Sequence, residues 1–326
     1  MNVLITGGLG GIGSNLTDIF MNNGDKVLCI NKPSQLIKNV QRHLKNPNFT
    51  YFSADITDKS KLNEISDITL PEFDTLFHLA AVVGVPLYVA NPLDVLNVNI
   101  EGTKNVIELA RKLDIPKLIF SSTSEVYSKN EGLLTEYTSD LILGQPHVKR
   151  WSYALSKIVG EYYVRNMCSD YGIDFTILRL FNAYGRRVFH AVIYTMFYNA
   201  MMNKEIIVHG TGEQIRTFCY VSDTAKMIYL ANLKNEARNE VINIGDDRPR
   251  TINFIAEEIA ELVGRYVKIK HRPYEDVFMD NSFEDVSIRV PNIVKQKKIL
   301  NYIPTIHIRE GLKFTFDWLR GELFNV

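Results

Sequence analysis

The residues with the clearest chemical potential are Tyr153 and Lys157, which lie four positions apart in the sequence. A helix places two such side chains on one face, because about 3.6 residues complete a turn. An ammonium group favours the phenolate, so Lys157 is expected to lower the pKa of Tyr153. A tyrosine tuned in this way can take a proton from a substrate hydroxyl near neutral pH. Beside a nicotinamide, the pair would serve hydride transfer.

A glycine-rich turn lies near the start of the chain, where Gly7, Gly10 and Gly13 follow an apolar run and open a helical pattern. Glycines let the backbone turn tightly and approach a pyrophosphate, which then sits at the helix N-terminus. Together with Gly11 and Ile12, this turn is predicted to bind a dinucleotide. The spacing is Gly-x-x-Gly-x-x-Gly rather than the Gly-x-Gly-x-x-Gly of most dinucleotide folds, and a purely structural turn is the alternative.

The end of the second predicted strand bears on the choice of cofactor. A carboxylate commonly binds the adenosine ribose there, whereas this chain has Asn31 followed by Lys32. An amide can bind a ribose hydroxyl without repelling a 2′-phosphate, and Lys32 could attract one or simply point to solvent. NAD is expected, and NADP stays open. Asp55 and Ile56 are placed to contact the adenine, although Asp55 could instead cap a helix that begins near Thr57.

Short apolar runs alternate with helical patterns through the first half of the chain, which predicts a parallel sheet covered by helices on both faces. The predicted strands are 3–6, 26–30, Phe49–Ser53, 75–79, 117–121 and Asp174–Leu180. The main predicted helices are 12–23, 97–113 and 152–171. The expected fold is therefore α/β, a Rossmann-type doubly wound parallel sheet with a smaller mixed C-terminal substrate domain.

This pattern also predicts where the domains divide and where ligands bind. Residues 1–180 would form the NAD(P)-binding domain and residues 181–326 the substrate-binding domain, with some elements of the second packing back onto the first. Open parallel sheets bind ligands at the carboxyl ends of their strands. Segments 6–13, 79–83 and 121–127 fall at such ends and are expected to line one crevice.

Composition narrows the class of protein. The chain has 326 residues, 46% of them hydrophobic, which is ample for a buried core. Lysine plus arginine equals aspartate plus glutamate at 37 each, so no net charge attracts nucleic acid or an anionic membrane. Three widely spaced cysteines favour a reduced, cytoplasmic protein without a metal site. Neither a signal peptide nor a membrane span is predicted, since the apolar stretch 191–202 is too short.

Several motifs together resemble the extended short-chain dehydrogenase/reductases, in particular the NAD-dependent nucleotide-sugar epimerases, dehydratases and decarboxylases. The resemblance covers nearly the whole chain. Its motifs are Thr6 to Gly13, His78-Leu79-Ala80-Ala81, Asn99-x-x-Gly102-Thr103, Ser122-Thr123-Ser124-Glu125-Val126-Tyr127, Tyr153-x-x-x-Lys157, Phe181-Asn182-x-Tyr184-Gly185 and Arg216-Thr217-Phe218-x-Tyr220-Val221-x-Asp223.

The resemblance implies a role for individual residues. Tyr153 would take the proton of the sugar 4-hydroxyl, Lys157 would bind the nicotinamide ribose, and Thr123 would hydrogen-bond O4. Further cofactor contacts would come from Leu79, Ala80, Ala81 and Asn99. Substrate contacts would come from Ser124, Arg150, Asn182, Arg216 and Arg289, the last three at positions that bind the nucleotide diphosphate. The alternative for Tyr153 and Lys157 is an exposed amphipathic pair on a helix.

Glu125 distinguishes branches of this family. Similar dehydratases carry Asp-Glu after the threonine, so the Ser124-Glu125 pair argues against 4,6-dehydration. Thr-Ser-Glu resembles the UDP-glucuronate decarboxylases, in which this glutamate and an arginine matching Arg216 lie near the uronate carboxylate, so Glu125 is a candidate catalytic residue. Arg150-Trp151 before Tyr153 resembles enzymes that act on UDP-glucuronate. Arg150 could bind a carboxylate with two hydrogen bonds. The alternatives are that Glu125 is a salt-bridged wall of the pocket, Arg150 a surface charge and Trp151 a core residue.

The leading hypothesis is an NAD-dependent nucleotide-sugar 4-epimerase acting on a UDP-hexose or UDP-hexuronate through a transient 4-keto sugar. Segments 274–276, 283–285 and 289–291 favour it by their resemblance to 4-epimerases. A UDP-glucuronate decarboxylase and a net NAD(P)-dependent nucleotide-sugar oxidoreductase or dehydratase are the alternatives, and a non-catalytic NAD-sensing protein is a further one. Ser128 and Gly185-Arg186-Arg187 depart from the family pattern. By resemblance, helices 97–113 and 152–171 are expected to pair two copies into a homodimer.

Overall fold

The computed structural model describes residues 1–67, 72–277 and 283–324. Its strands are β1 (Asn2–Thr6), β2 (Lys26–Asn31), β3 (Phe49–Ser53), β4 (Thr75–His78), β5 (Lys117–Thr123), β6 (Gly132–Leu134), β7 (Asp174–Leu180), β8 (Ala183–Tyr184), β9 (Ile206–His209), β10 (Ile215–Arg216), β11 (Cys219–Tyr220), β12 (Glu240–Ile244), β13 (Arg250–Thr251), β14 (Ile269–Arg272) and β15 (Ile288–Pro291). Its helices are α1 (Gly11–Asn22), α2 (Lys59–Asn63), α3 (Val85–Ala90), α4 (Pro92–Lys112), α5 (Trp151–Tyr171), α6 (Val192–Met201), α7 (Val221–Leu233), α8 (Ile252–Leu262), α9 (Tyr274–Val277), α10 (Val294–Leu300) and α11 (Ile308–Phe324). Short 3-10 helices span Gln35–His43, Glu64–Asp67, Ser124–Tyr127 and Asn235–Ala237.

Seven of the described strands form the main sheet, in the order β12-β7-β5-β4-β1-β2-β3. Every neighbouring pair in it is parallel. All six predicted strands lie in this sheet, which confirms the expected fold class. β5 runs two residues past its predicted end, because Ser122 and Thr123 continue the pairing with β7. β12 was not predicted; it lies beyond residue 180 in the sequence and adds to the edge at β7.

Helices cover both faces of this sheet, because the buried strands carry apolar side chains on both of their faces. On β1, Leu4 faces the cluster that contains Val106 of α4 and Val164 of α5. Val3 and Ile5 face the opposite cluster, which includes residues of α1 and α7. α4 begins five residues before its predicted start, at Pro92, since proline suits the first position of a helix.

The second half of the chain builds smaller sheets and its own core. A mixed sheet has the order β13-β10-β15-β6, and two-stranded pairs join β11 to β8 and β14 to β9. The third cluster of buried apolar side chains includes residues of α6, α8 and α11. In the mixed sheet, Arg216 of β10 lies directly opposite Arg289 of β15. This register places both arginines on the same face of the sheet.

Two further features of the described chain bear on its class. Cys29, Cys168 and Cys219 are buried and form no disulfide. The described helices include none that is both long and apolar enough to cross a lipid bilayer.

Candidate functional site

The glycine turn between β1 and α1 has a shape that only glycine can adopt. Gly7 has a φ of +75°, and a Cβ added to it would lie 2.7 Å from the amide nitrogen of Ala80. A Cβ on Gly13 would overlap the carbonyl oxygen of Gly7. Gly10 is the N-cap of α1, and its amide donates to Gly7 O at 3.0 Å. The first turn of α1, at the carboxyl end of β1, is the place where a dinucleotide pyrophosphate binds in such folds.

Side-chain amides fix this turn from the outside. Asn31, at the end of β2, accepts a hydrogen bond from the Leu9 amide at 3.3 Å. Asn39 donates to the Leu9 carbonyl at 2.8 Å. Asn31 therefore supports the turn and lies at the expected ribose position of the fold. Asn39 was not predicted, because the contact joins a 3-10 helix to a loop far away in the sequence.

Lys32 and Asp55 form an ion pair with 2.7 Å between Nζ and Oδ2, so Lys32 does not simply point to solvent. Burial raises the pKa of Asp55, but the hydrogen bonds with Lys32 and Thr57 and the Lys32 charge together outweigh burial, so the pKa is lowered. Asp55 also accepts from the Thr57 amide at 2.9 Å, which caps a turn, while α2 begins only at Lys59. The Ile56 side chain is buried against Gly102, so a contact of this segment with adenine, which stays a prediction, would have to come from its backbone.

The segment after β4, with Leu79, Ala80 and Ala81, lies beside the glycine turn. Leu79 donates its amide to Thr6 O at 3.0 Å. Asn99 of α4 accepts from the Val82 amide at 2.8 Å and donates to Ser156 Oγ of α5 at 3.0 Å. Asn99 is almost completely buried, so in this structure it ties the segment after β4 to α5.

Tyr153 and Lys157 are both buried at the carboxyl end of β5, which excludes the exposed amphipathic pair. Lys157 Nζ donates to the carbonyl of Ser121 at 2.8 Å and lies 4.7 Å from the centre of the Phe120 ring. The Tyr153 ring stacks on Tyr88 of α3, with centroids 5.3 Å apart and planes 10° apart. Tyr88 was not predicted from the sequence. Its single signal there was an aromatic residue in an otherwise aliphatic short helix.

The pKa values of this pair differ from the expectation. Burial raises the pKa of Tyr153 and the Glu125 charge raises it further, while a hydrogen bond with Thr123 lowers it. The expectation that Lys157 lowers the Tyr153 pKa is therefore not met in this structure. Burial lowers the pKa of Lys157 itself to about 7, and the carboxylate of Glu161 acts in the opposite direction. The ammonium is directed toward Ser121 O and is only partly charged near neutral pH.

Glu161 lies one turn beyond Lys157 on α5 and anchors the helix to the sheet. Ser122 Oγ donates to Glu161 Oε1 at 2.5 Å, and Arg179 binds both oxygens of the carboxylate at 2.9 and 2.7 Å. Ser122 and Arg179 are register partners on β5 and β7, so they approach Glu161 together. The four-residue spacing from Lys157 was the sequence signal for Glu161, but the charged partner lies on another strand.

Glu125, Arg150, Arg216, Asp285 and Arg289 form a connected group, called here the arginine cluster. Arg150 donates to Glu125 at 3.1 Å and to Asp285 at 2.7 Å, Arg216 donates to Asp285 at 2.7 Å, and Arg289 pairs with Glu125. Burial raises the pKa of Glu125, but the charges of Arg150 and then Arg289 bring it down to about 2. Three guanidinium groups and two carboxylates leave the cluster with one excess positive charge.

The structure excludes a surface position for Arg150 and agrees with a core position for Trp151. Arg150 is buried, with its guanidinium 5.2 Å from the Trp151 ring centre and 4.8 Å from that of Phe283, so it is not a surface charge. Trp151 is buried, as a core residue would be, and donates its indole N–H to Glu284 at 3.1 Å. Glu125 forms salt bridges in the wall of the crevice, which agrees with the alternative proposed for it from the sequence.

The remaining predicted residues lie at or just after the carboxyl ends of β5 and β7. Thr123 accepts from the Glu125 amide at 3.2 Å and so caps the 3-10 helix that begins at Ser124, which is buried. Asn182 donates to Thr217 O at 2.9 Å. The structure thus brings Thr123, Glu125 and Tyr153 together with the arginine cluster. In the described parts of the chain, no group of three or more His, Cys, Asp or Glu side chains could hold a metal ion.

Comparisons with known proteins agree with this geometry. Residues 3–245 match the model of the NAD dependent epimerase/dehydratase family. The chain is 32% identical over 324 residues to the UDP-N-acetyl-alpha-D-glucosaminuronate decarboxylase of Bacillus cytotoxicus, covering 97% of each chain. It is 30% identical over 327 residues to UDP-glucuronic acid decarboxylase 1 of Xenopus tropicalis, covering 98% of this chain and 72% of that one.

A solved structure extends the comparison. The UDP-glucose 4-epimerase of Thermotoga maritima, solved with UDP-glucose, superposes with a TM-score of 0.86 at 29% identity, covering 99% of this chain and 100% of the other. The similarity therefore spans the Rossmann sheet and the smaller sheets alike. The chain belongs to the NAD-dependent epimerase/dehydratase family and is an enzyme that uses NAD.

Proposed function

We propose that the chain is a 4-epimerase of a UDP-linked hexuronate. The observation that carries this proposal is that Tyr153 and Thr123 lie beside an arginine cluster with an excess positive charge. Within the described residues, Arg289 Nε is buried without a hydrogen-bond partner, so one donor remains for an anionic group. Arginine binds carboxylates and phosphates through paired hydrogen bonds. The names of the relatives, which include UDP-glucose and UDP-glucuronic acid, support a UDP-sugar substrate.

The residues around the glycine turn fit NAD. Gly7, Gly10, Gly11, Ile12 and Gly13 would hold the pyrophosphate at the start of α1. The two ends of the dinucleotide are proposed to contact the backbone at residues 55 and 56 and six further residues: Asn31, Leu79, Ala80, Ala81, Asn99 and Lys157. The Lys32–Asp55 pair places a carboxylate next to the lysine, which favours NAD over NADP. When bound, NAD supplies the hydride acceptor and donor for the sugar C4.

Tyr153 is the proposed acid and base. While C4 gives up its hydride, the phenolate of Tyr153 must accept the proton of sugar O4, and the phenol returns this proton when the ketone is reduced. Burial raises the pKa of Tyr153 in this structure, and the positive charges of Lys157 and of bound NAD would favour the phenolate. Thr123 supplies a second hydroxyl next to that phenol. Lys157, one turn further along the helix, is proposed to bind the nicotinamide ribose and to supply positive charge. The Ser121 carbonyl fixes the position of its ammonium.

Two properties of the cluster favour epimerisation over loss of carbon dioxide. Decarboxylation leaves a carbanion at C5 that must gain a proton, and Glu125, with a pKa of about 2, carries none at neutral pH. Ion pairing with Arg150 or Arg289 would also stabilise the negative charge on the sugar carboxylate, whereas loss of carbon dioxide moves that charge into the enolate of the 4-keto sugar. Epimerisation needs no proton at C5: the proton passes between O4 and Tyr153, the 4-keto sugar turns over in the site, and the hydride returns to its other face.

Decarboxylation of a UDP-hexuronate remains the second candidate. The Bacillus cytotoxicus relative, similar over 97% of both chains, is named as a decarboxylase of such a sugar. The Thr123-Ser124-Glu125 sequence resembles that group as well. Both reactions would begin with the same oxidation at C4, so the product distinguishes them.

The experiment is incubation of the purified enzyme with UDP-glucuronate, UDP-N-acetylglucosaminuronate and the uncharged UDP-glucose. We expect products of unchanged mass with altered proton couplings at C4, formed faster from the uronates. Loss of the mass of carbon dioxide would establish the decarboxylase instead. Reduced cofactor accumulating in proportion to consumed substrate would show a net oxidoreductase and contradict both.

Replacing Tyr153 with phenylalanine tests the proton-transfer role. Tyr153→Phe is expected to lower kcat by about 10²- to 10⁴-fold, the usual contribution of a positioned acid and base. Cofactor content should stay close to that of the wild type, because only a hydroxyl is lost. Tyr266→Phe, at a position that is 90% exposed, is the matched control and should leave kcat unchanged. A rapid Tyr153→Phe enzyme would refute the assignment.

We propose that the chain forms a homodimer through α4 and α5. Leu93 of α4 and Tyr162 of α5 are 73% and 65% exposed, and Leu155 of α5 is also exposed. Contiguous exposed apolar side chains on neighbouring helices mark interaction surfaces. Light scattering at micromolar concentration should give twice the mass of one chain, and Leu155→Glu should shift it toward the monomer. A monomeric wild-type protein would remove this proposal.

Glu161→Gln should change the pH dependence of turnover. Glu161 raises the pKa of Lys157, so its loss lowers that pKa further below about 7. Activity that needs the ammonium falls as the pH rises through this pKa, and the alkaline limb of kcat should therefore move to lower pH. Ser122→Ala removes one hydrogen bond to the same carboxylate but keeps its charge, so the limb should stay in place. A limb that is identical in Glu161→Gln and wild type would contradict the electrostatic role.

A further inference from the structure

One segment spans the crevice between the two loops that flank the predicted cofactor site. It consists of residues 186–190 and is called here the crossing segment. At one end, a Cβ on Gly11 would lie 2.7 Å from the carbonyl oxygen of Arg187. At the other end, a Cβ on Gly84 would lie 3.7 Å from the side chain of His190. Gly11 opens α1 after β1, and Gly84 follows β4, so the segment reaches from one loop to the other.

The buried carboxylate of Asp18 fastens the first end. Arg187 Nη2 approaches Asp18 Oδ2 at 2.5 Å, and Arg42 and His43 bind the same carboxylate. Arg187 Nη1 also donates to the Asn39 carbonyl at 2.8 Å. Since Asn39 holds the glycine turn through Leu9, these contacts join Arg187 to that turn.

Arg186 adds a second contact to α1. Its Nε donates to Asn15 Oδ1 at 2.9 Å, and Asn15 in turn donates to the carbonyl of Gly11 at 2.7 Å. Arg186 replaces the proline of the Gly-Pro-Arg sequence that is usual in the family. This replacement therefore adds a contact between the crossing segment and α1. The opposite side of the segment is anchored by Phe189, whose ring lies 5.7 Å from that of Trp318 in α11.

We propose that the crossing segment is a latch that retains the bound dinucleotide, and that Asp18 is the positioning residue that keeps it closed. Ligands of such sheets lie in the crevice at the carboxyl ends of adjacent strands, and β1 and β4 are adjacent. The segment is attached through Arg186 and Arg187 to the β1 side of this crevice, packs through Phe189 on α11, and reaches the loop after β4 at His190. A reaction that removes and then returns the same hydride requires that its cofactor stay bound between the two steps. The inference rests on the NAD site and not on the identity of the sugar.

The test is the rate of NAD release from the purified holoenzyme, measured by trapping the released cofactor with an excess of a second NAD-consuming enzyme. Asp18→Asn should accelerate release at least about tenfold, the factor expected when a charge-assisted hydrogen bond is lost. The cofactor content after gel filtration should fall in parallel. Sugar turnover is not needed for this readout, so the result is independent of the proposed epimerase activity.

Arg42→Gln is the matched control. It removes another ion pair of the same Asp18 carboxylate, from a half-exposed side chain that does not belong to the crossing segment. Its release rate should stay within about twofold of the wild type, below the effect of a lost charged hydrogen bond. Equally fast release from Arg42→Gln and Asp18→Asn would mean that the effect comes from the surroundings of Asp18 and would overturn the proposal. An unchanged release rate in Asp18→Asn would overturn it as well.

A second variant keeps the test decisive if Asp18→Asn does not fold. Arg187→Gln leaves Asp18 paired with Arg42 and His43, so no unpaired anion remains in the core. The latch predicts faster NAD release from this variant as well. Wild-type retention in a folded Arg187→Gln protein would refute the latch.

Discussion

The close packing of α5 on β5 is the constraint that fixes the positions of the other residues of the site. A Cβ on Gly160 would lie 2.8 Å from the Phe120 ring, so glycine allows helix and strand to approach closely. The Glu161 carboxylate and the Lys157 ammonium then make polar contacts with β5 on the same side of the helix. These contacts fix the position of the helix along the strand. Tyr153, one turn earlier, is thereby brought to the carboxyl end of β5.

Charge placement around this helix obeys the rule that buried ions require partners. Arg150 immediately precedes α5 and meets the carboxylates of Glu125 and Asp285. Asp285 shares its charge with Arg216, which comes from the mixed sheet. The electrostatics of the crevice are thus set by groups from both halves of the chain. A substrate anion would meet the one excess positive charge of the arginine cluster, which offsets part of the free energy needed to desolvate it.

Much of this architecture could be predicted from the sequence because local patterns determine it. Apolar runs identified six strands of the main sheet, and glycine spacing identified the cofactor turn. β12 escaped prediction, since its place in the sheet depends on pairing with β7, a strand far away in the sequence. Tyr88, Asp18 and Asp285 escaped for the same reason, as their partners lie on other elements. The pKa values of Tyr153 and Lys157 required burial, which spacing on a helix does not reveal.

The two halves of the chain exchange strands. β6, from residues before α5, joins the mixed sheet, whereas β12, from residues after α7, completes the edge of the main sheet. Neither sheet can therefore be assembled from one contiguous stretch of the polypeptide. During synthesis, the edge of the main sheet at β7 stays unpaired until β12 has left the ribosome, and that edge is open to aggregation until then. Strand exchange therefore makes completion of the main sheet depend on a segment from the second half of the chain.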